Sequence, residues 1–434
     1  MMYKNGISYF GLILLILLSH ISLLAIVLFR GNYGDVTDVG LLTAIVLGTD
    51  LIYFCVLRLM RQATYTADFA LVLLLNMSVI FQSCFGGVGF AFKHYLMTVG
   101  AFVCCQIAYL LTRDAVVTEK RKPVYYILFG VLMLSILLFT GSRGIWIDLG
   151  FITLQPSEFL KPVFVLLCAT SISAQQNKKK TLGFRIVRDN WYVYGCTVLI
   201  VLLQWWCRDL GSLPTFLAVA GCGLICRICY PRAKLSKKLI VGLCAGGAAL
   251  AAIAVKLAPA YVLERLHVDI WKDPSGSGYQ QCKALIAIAE GGWFGKGPGQ
   301  GTLHKVAASD TDIVFSTICE EWGLLMALLA IFTILLILCT SLTNTPRSYY
   351  HACIVNGVVA VFVVQMTLNI FGSCNLIPFT GVTIPFISQG GSSMLTSGFL
   401  VGLLKATQSP LFHSQVKVPR RKAPILNKKR KAMA

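Results

Sequence analysis

The chain is divided into apolar runs close to 20 residues long, separated by short polar gaps. A helix needs a run of about 20 residues to cross some 30 Å of hydrocarbon, and lipid admits only helices or closed barrels because every backbone polar group must be satisfied internally. No run keeps the strict alternation of a barrel strand. The expected fold is therefore all-α, a polytopic transmembrane helical bundle. Twelve spans are expected, at 8–29, 38–57, 67–90, 92–112, 124–141, 157–174, 191–206, 211–229, 239–258, 313–340, 350–372 and 382–406. Composition agrees: of 434 residues, 56% are hydrophobic and only 13% charged, about half the charged fraction of a soluble domain. The first run is too long for a signal-peptide core and is expected to stay in the mature chain.

The net charge of +20 would suit nucleic acid, but its placement points elsewhere. With both termini cytoplasmic, 27 of the 38 Lys and Arg fall in inner segments or the basic tail, as the positive-inside rule requires. The tail "KVPRRKAPILNKKRKAMA" then reads as a solvated cluster beside anionic lipid, with membrane lipids rather than nucleic acid as its partner. Most of the 16 cysteines lie inside spans and the six histidines are scattered singly, so neither a disulfide framework nor a structural metal is expected.

On this topology the longest gap, 259–312, faces outward. A gap of that length with Trp271, Tyr279, Trp293 and "ALIAIA" inside it is expected to be a packed, functional segment. It contains "KDPSGSGY", in which Asp273, Pro274 and Gly276 occupy the first, second and fourth positions of a turn. Gly276 and Gly278 let backbone approach a ligand closely or take positive φ, and "GGWFGKGPGQG" repeats the pattern beside Lys296. Glycine-rich backbone next to a lysine can cradle phosphate, although no P-loop spacing is present.

Other charges border the same face: Trp146 and Asp148 in "GIWIDLG", Glu158 and Lys161 in "LQPSEFLKP", Asp209 in "CRDLGS", and Asp310, Asp312, Glu320 and Glu321 in "SDTDIVFSTICEEWG". Ionisable groups at bilayer depth are costly, so these are expected to pair or to line a polar cavity. Glu158 and Lys161 stand three apart on one helical face and can pair. Adjacent Glu320 and Glu321 cannot share one partner, so at least one is expected to meet water or a cation.

Together, "GIWIDLGFITLQPSEFLKP", "RDLGS", "DPSGSGYQ", "AIAEGGWFGKG", "TDIVFSTICEEWG" and "NLIPFTGVTIPFISQGGSS" resemble, in order, the landmarks of the RodA, FtsW and SpoVE (SEDS) family. The resemblance covers residues 67–406. It implies a ten-span core, so residues 1–66 read as an added two-span segment and 407–434 as a basic cytoplasmic tail. It further implies a peptidoglycan glycosyltransferase of the bacterial cytoplasmic membrane that polymerises lipid II with a class B penicillin-binding transpeptidase. Asp273 corresponds to the family's proposed catalytic acid, and Glu158, Lys161, Asp209 and Asp312 to residues of its polar cavity; Arg265 corresponds to the family arginine. The chain departs from the common pattern at "CRDLGS", at Lys283 in place of Gln, at Asp310 in place of His and at Gln389 in place of Tyr. Elongation, division and spore-wall roles share these motifs.

Lipid II polymerisation needs a base for the attacking hydroxyl and positive charge for the departing pyrophosphate. Asp273 is the candidate base. Arg208, Arg265, Lys283 and Lys296 are candidates for the leaving group, a divalent cation (Mg or Mn) being the alternative; Trp146 and Glu320 complete the candidate substrate-binding set. Two rival readings remain, a lipid II flippase or transporter and a non-catalytic scaffold for a transpeptidase. No matching pair of broken-helix halves is visible, which weighs against the transporter.

Overall fold

The computed structural model describes residues 8–30, 36–139, 146–148, 153–173, 178–181, 184–209, 211–229, 270–276, 278–344, 346 and 348–411. Helices dominate: α1 Tyr9–Arg30, α2 Val36–Leu59, α3 Thr66–Thr112, α4 Ala115–Lys120, α5 Lys122–Phe139, α6 Pro156–Ser173, α7 Arg188–Trp206 and α8 Leu213–Cys229. After the long gap follow α9 Tyr279–Gly291, α10 Val314–Trp322, α11 Leu324–Thr343, α12 Tyr349–Ser373 and α13 Gly391–Thr407. Two short antiparallel pairs accompany them, β1 Ile147–Asp148 with β2 Thr153–Leu154, and β3 Lys178–Thr181 with β4 Phe184–Val187. Among the described residues, seven helical segments are long and apolar enough to cross a membrane, so the chain is a multi-pass membrane protein. The expected ninth span, 239–258, and Arg265 lie outside the described residues.

The 47 residues of α3 would extend about 70 Å as a straight rod. They do not. Gly87 takes φ of +71°, and the tyrosine hydroxyls of Tyr65 and Tyr109, at opposite ends of the run, lie 3.1 Å apart. The element is therefore a hairpin of two antiparallel spans, Thr66–Ser83 and Gly87–Thr112; two spans are expected here, but the break falls several residues before the expected boundary at 90–92. Helix α13 packs tightly on the second arm through Gly398 and Gly402, a small-residue pair four apart. A Cβ at these positions would come within 2.4 Å of the Ala101 carbonyl oxygen and 2.2 Å of that of Cys105. Close backbone approach of this kind replaces the hydrophobic drive that lipid cannot supply.

Two expected spans differ in detail. The tenth is broken at Gly323, whose φ of +83° separates α10 from α11. The twelfth becomes helical only at Gly391; the preceding 375–390 segment is irregular and contains Pro378 and Pro385, which have no amide hydrogen to give a helix. Irregular backbone inside a bundle survives where protein groups satisfy it. Here Ser78 donates to the Phe386 carbonyl, Gln82 to that of Ile387 at 2.8 Å and Asn369 to that of Val382 at 2.6 Å.

At the end of the bundle holding Tyr65 and Tyr109, Lys405 and Asp68 form a fully buried ion pair, 2.7 Å apart, that joins the first arm of α3 to the last helix. Gln106 accepts from the ammonium at 3.3 Å, and the rings of Tyr65 and Tyr109 lie beneath it at 5.5 and 4.8 Å. Tyr53, on α2, donates its hydroxyl to Asp68 at 2.6 Å and accepts from Gln106 at 2.6 Å. Helix α2 thus enters the polar network that joins α3 to α13. A second tie, from the Asn76 amide to Asp50 at 2.6 Å, fastens α2 to α3 within the membrane-spanning part.

Removing one member of a buried pair leaves the other charge uncompensated. Lys405→Met is expected to lower stability by about 3–5 kcal/mol, and Asp68→Asn in the same chain to restore much of it, as read from thermal unfolding in detergent.

Candidate functional site

The end of the bundle opposite Lys405 gathers the segments at 146–148, 153–158, 207–209, 211–213, 270–276, 278–312 and 373–391. Asp273 stands in an exposed turn just ahead of α9. Its carboxylate accepts from the Gly276 amide at 3.0 Å and its carbonyl from the Gly278 amide at 3.2 Å, which is the turn expected from Asp-Pro-Ser-Gly. The glycines serve close packing rather than positive φ. A Cβ at Gly276 would lie 2.2 Å from Asp273 Oδ2, and one at Gly278 would lie 2.7 Å from the Ile270 Cα. No other residue lets the turn close around its own acid.

Helix α9 carries this turn onto the rest of the rim. Its Gln281 amide reaches the Gly372 carbonyl at 3.4 Å and the Asn375 side-chain oxygen at 3.3 Å, at the start of the irregular segment. Ala284, Ala287, Leu303, Val306 and Ile313 form a small apolar core beneath the loop, with Phe379 packed against it. Lys283 is exposed on α9, its ammonium 5.8 Å from the Tyr279 ring centroid.

Asp312 sits where three segments meet. A Cβ at Gly381 would come 3.1 Å from its Oδ2, and Asn369 donates to its backbone carbonyl at 2.8 Å. Ser388 donates to the Thr311 carbonyl at 2.6 Å, and the Gln389 amide to that of Asp310 at 2.9 Å. Burial lifts the Asp312 carboxyl to about 6, against a hydrogen bond from Thr311 and with a smaller push from Asp310; burial raises Asp310 as well. Asp209 lies beyond the same segment, since a Cβ at Gly211 would meet the Thr380 carbonyl at 2.8 Å. Its Oδ2 accepts from Ser212 at 2.9 Å, Ser157 at 3.2 Å and Gln155 at 3.4 Å, drawing together the starts of α6 and α8. Arg208 is exposed, with φ of +58°. Trp146 is exposed beside β1.

Glu158 and Lys161 pair as their spacing suggests, 2.5 Å apart and both buried in the first turns of α6. Glu320 and Lys296 also meet, at 3.2 Å, and Glu290 holds the other side of the same ammonium. Of the two alternatives, water or a cation beside one of the adjacent glutamates, Glu320 meets a cation, Lys296. Glu320 is 0% exposed, and both its oxygens take protein donors: the Thr302 amide and hydroxyl at 2.9 and 3.0 Å and the Leu303 amide at 2.9 Å. Burial pushes this carboxyl up, but those donors and Lys296 outweigh it and leave it below the usual range. Glu321, equally buried, accepts from the Gly299 amide at 2.9 Å. The glycine-rich loop does cradle anionic oxygens, but they belong to these two glutamates. Among the described residues, no group of three or more His, Cys, Asp or Glu is placed to hold a metal ion.

Several groups that organise the rim were not singled out as site residues: Ser78, Gln82, Asn369 and Ser388, the last inside a quoted motif, which hold carbonyls of the irregular segment and of Asp312 and its neighbours. Their signal was present. A polar amide in an apolar span is costly unless it has a partner to satisfy.

The model of the family described as "Cell cycle protein", comprising FtsW, RodA and SpoVE, matches residues 56–410. The chain belongs to this family. Among SEDS relatives it is 30% identical to stage V sporulation protein E of Bacillus subtilis over 61% of this chain and 70% of that protein. It is 31% identical to the probable peptidoglycan glycosyltransferase FtsW of Coxiella burnetii, over 69% of this chain and 81% of that protein. The SEDS fold is also seen in solved structures. A chain of a peptidoglycan synthase complex superposes with a TM-score of 0.57 at 21% identity, covering 78% of this chain and 96% of that one. RodA of Thermus thermophilus gives 0.52 at 17% identity, covering 79% and 96%.

Two outcomes follow from this geometry. For Asp312, the proton bound more tightly in the folded state favours folding below pH 3.8, and that contribution is lost as pH rises through about 6. Asp312→Asn is therefore expected to gain stability relative to the parent between pH 4 and 7, measured as the difference in melting temperature. Glu320→Gln places an amide against donors that need an acceptor, and is expected to cost about 1–3 kcal/mol and to speed proteolysis within 291–305.

Proposed function

We propose that the chain is a peptidoglycan glycosyltransferase that polymerises lipid II at the outer face of the bacterial cytoplasmic membrane, with Asp273 as general base. Family membership and relatives named as peptidoglycan glycosyltransferases support the reaction class. The charge distribution supports the placement: on the expected topology 27 of the 38 Lys and Arg lie on the inner side and the rim on the outer. The observation that carries the assignment of the base is the exposed carboxylate of Asp273, held by its own turn and fastened through α9 to the rim that bears Asp312 and Asp209.

In the reaction, Asp273 takes the proton of the sugar 4-hydroxyl as its oxygen bonds to the anomeric carbon of the second substrate. The bond from that carbon to pyrophosphate breaks, and undecaprenyl pyrophosphate departs. Carboxylates are weak bases, so positioning must supply much of the rate. Arg208, Lys283 and Arg265 are the cations for the leaving group, with Mg or Mn as the alternative; Lys296 is already engaged by Glu290 and Glu320. A class B penicillin-binding transpeptidase is the proposed partner, in keeping with the likeness to a chain of a peptidoglycan synthase complex.

The reconstituted protein and its partner are expected to make glycan polymer from lipid II, and Asp273→Asn to make none while keeping its melting temperature. Polymer from Asp273→Asn but not from Asp312→Asn would transfer the base to Asp312. Translocation of labelled lipid II without polymer would favour the flippase, and activity abolished by chelator would assign the leaving group to a metal.

A further inference from the structure

Between α9 and the α10–α11 junction the chain makes a tight turn whose backbone is bonded on both sides. The carbonyls of Gly292 and Trp293 accept from the first amides of α11, Leu324 at 3.0 Å and Leu325 at 3.3 Å. On the other side, the Lys296 and Gly297 amides donate to the carbonyls of Glu320 and Glu321 at 2.8 and 3.0 Å. Gly292 and Gly295 have φ of +55° and +76°, and a Cβ at Gly323 would lie 2.3 Å from the Trp293 carbonyl oxygen. This geometry requires glycine at its corners. It makes no use of the two side chains between them.

Those side chains are Trp293 and Phe294, exposed to 61% and 77%. Two large aromatics on a rigid turn, each with most of its surface bare, call for an occupant. Its nature follows from what the turn sits on. Leu325, Leu329, Phe332 and Leu336 are 47%, 46%, 61% and 49% exposed at spacings of four, three and four along α11. They form the lipid-facing stripe of a membrane span. The Trp293 carbonyl is bonded to the Leu325 amide, so the aromatic pair continues this stripe at the span's first turn. Glu290 and Lys296 flank it in sequence and pair with one another, both partly exposed to solvent.

We infer that Trp293 and Phe294 form an interfacial anchor, seated among the headgroups and upper acyl chains of the leaflet at this end of the bundle. An amphipathic indole favours that depth, and a rigid turn presents it without further ordering cost. The anchor fixes the height of the C-terminal end of α9 and of the loop fastened on Glu320. The inference requires a membrane-spanning α11 and is independent of the chemistry proposed for the rim.

The test uses the full chain in liposomes and reads the difference in tryptophan emission between the parent and Trp293→Phe, which cancels the other six tryptophans. Lipid brominated near the top of the acyl chain is expected to quench this difference emission about twofold or more, and lipid brominated deeper to quench it less. Aqueous iodide is expected to have little effect. Adding Phe294→Trp to the Trp293→Phe chain is expected to restore a bromine-quenched component, which guards against loss of signal through misfolding. Difference emission quenched by iodide but not by brominated lipid would overturn the anchor. Emission reached by neither quencher would overturn it too, by showing these rings covered by protein, such as a second copy.

Discussion

A lysine ammonium and a carboxylate at 0% exposure each, 2.7 Å apart, bind the first and last helices of the family core to one another. Neither charge could stay there alone, because the low-dielectric interior offers no other compensation. The two tyrosine rings, Gln106 and Tyr53 complete the surroundings, so four segments of the chain must be in register before the pair can form. Such an interaction adds little net energy compared with well-packed apolar side chains. What it contributes is uniqueness: the backbone-to-backbone packing of Gly398 and Gly402 on α3 is compatible with only one axial position once Lys405 has found Asp68.

With that end closed, the opposite end can be irregular. The segment 375–390 has two prolines and no helix, yet it lies within the bundle because side chains of α3 and α12 supply its missing partners. The loop at 291–301 follows the same principle in reverse, with backbone amides arranged around two buried glutamates. Among the candidate site residues described, Asp273, Arg208 and Lys283 are the ones this framework leaves exposed at the surface.

The bundle class was legible because membrane thickness writes itself directly into run length, and eleven of the twelve expected spans correspond to described helices. Asp273 was legible as a turn, since Asp, Pro and Gly each have a local reason to be there. The pairing of Glu158 with Lys161 followed from helical spacing alone. By contrast, the break at Gly323 and the late start of α13 depend on contacts between segments distant in sequence, for which periodicity holds no information. The same is true of the glutamates. A glycine-rich loop beside a lysine has one local signature whether it wraps a phosphate or the carboxylates of its own chain, and only the tertiary fold decides which.

Asn369 donates through one amide nitrogen to the carbonyl of Asp312 and to that of Val382, at 2.8 and 2.6 Å. A single planar group therefore yokes the two walls of the rim. Neither backbone can shift relative to the other without breaking one of these two bonds, so the irregular segment and the acidic one keep a common position on α12.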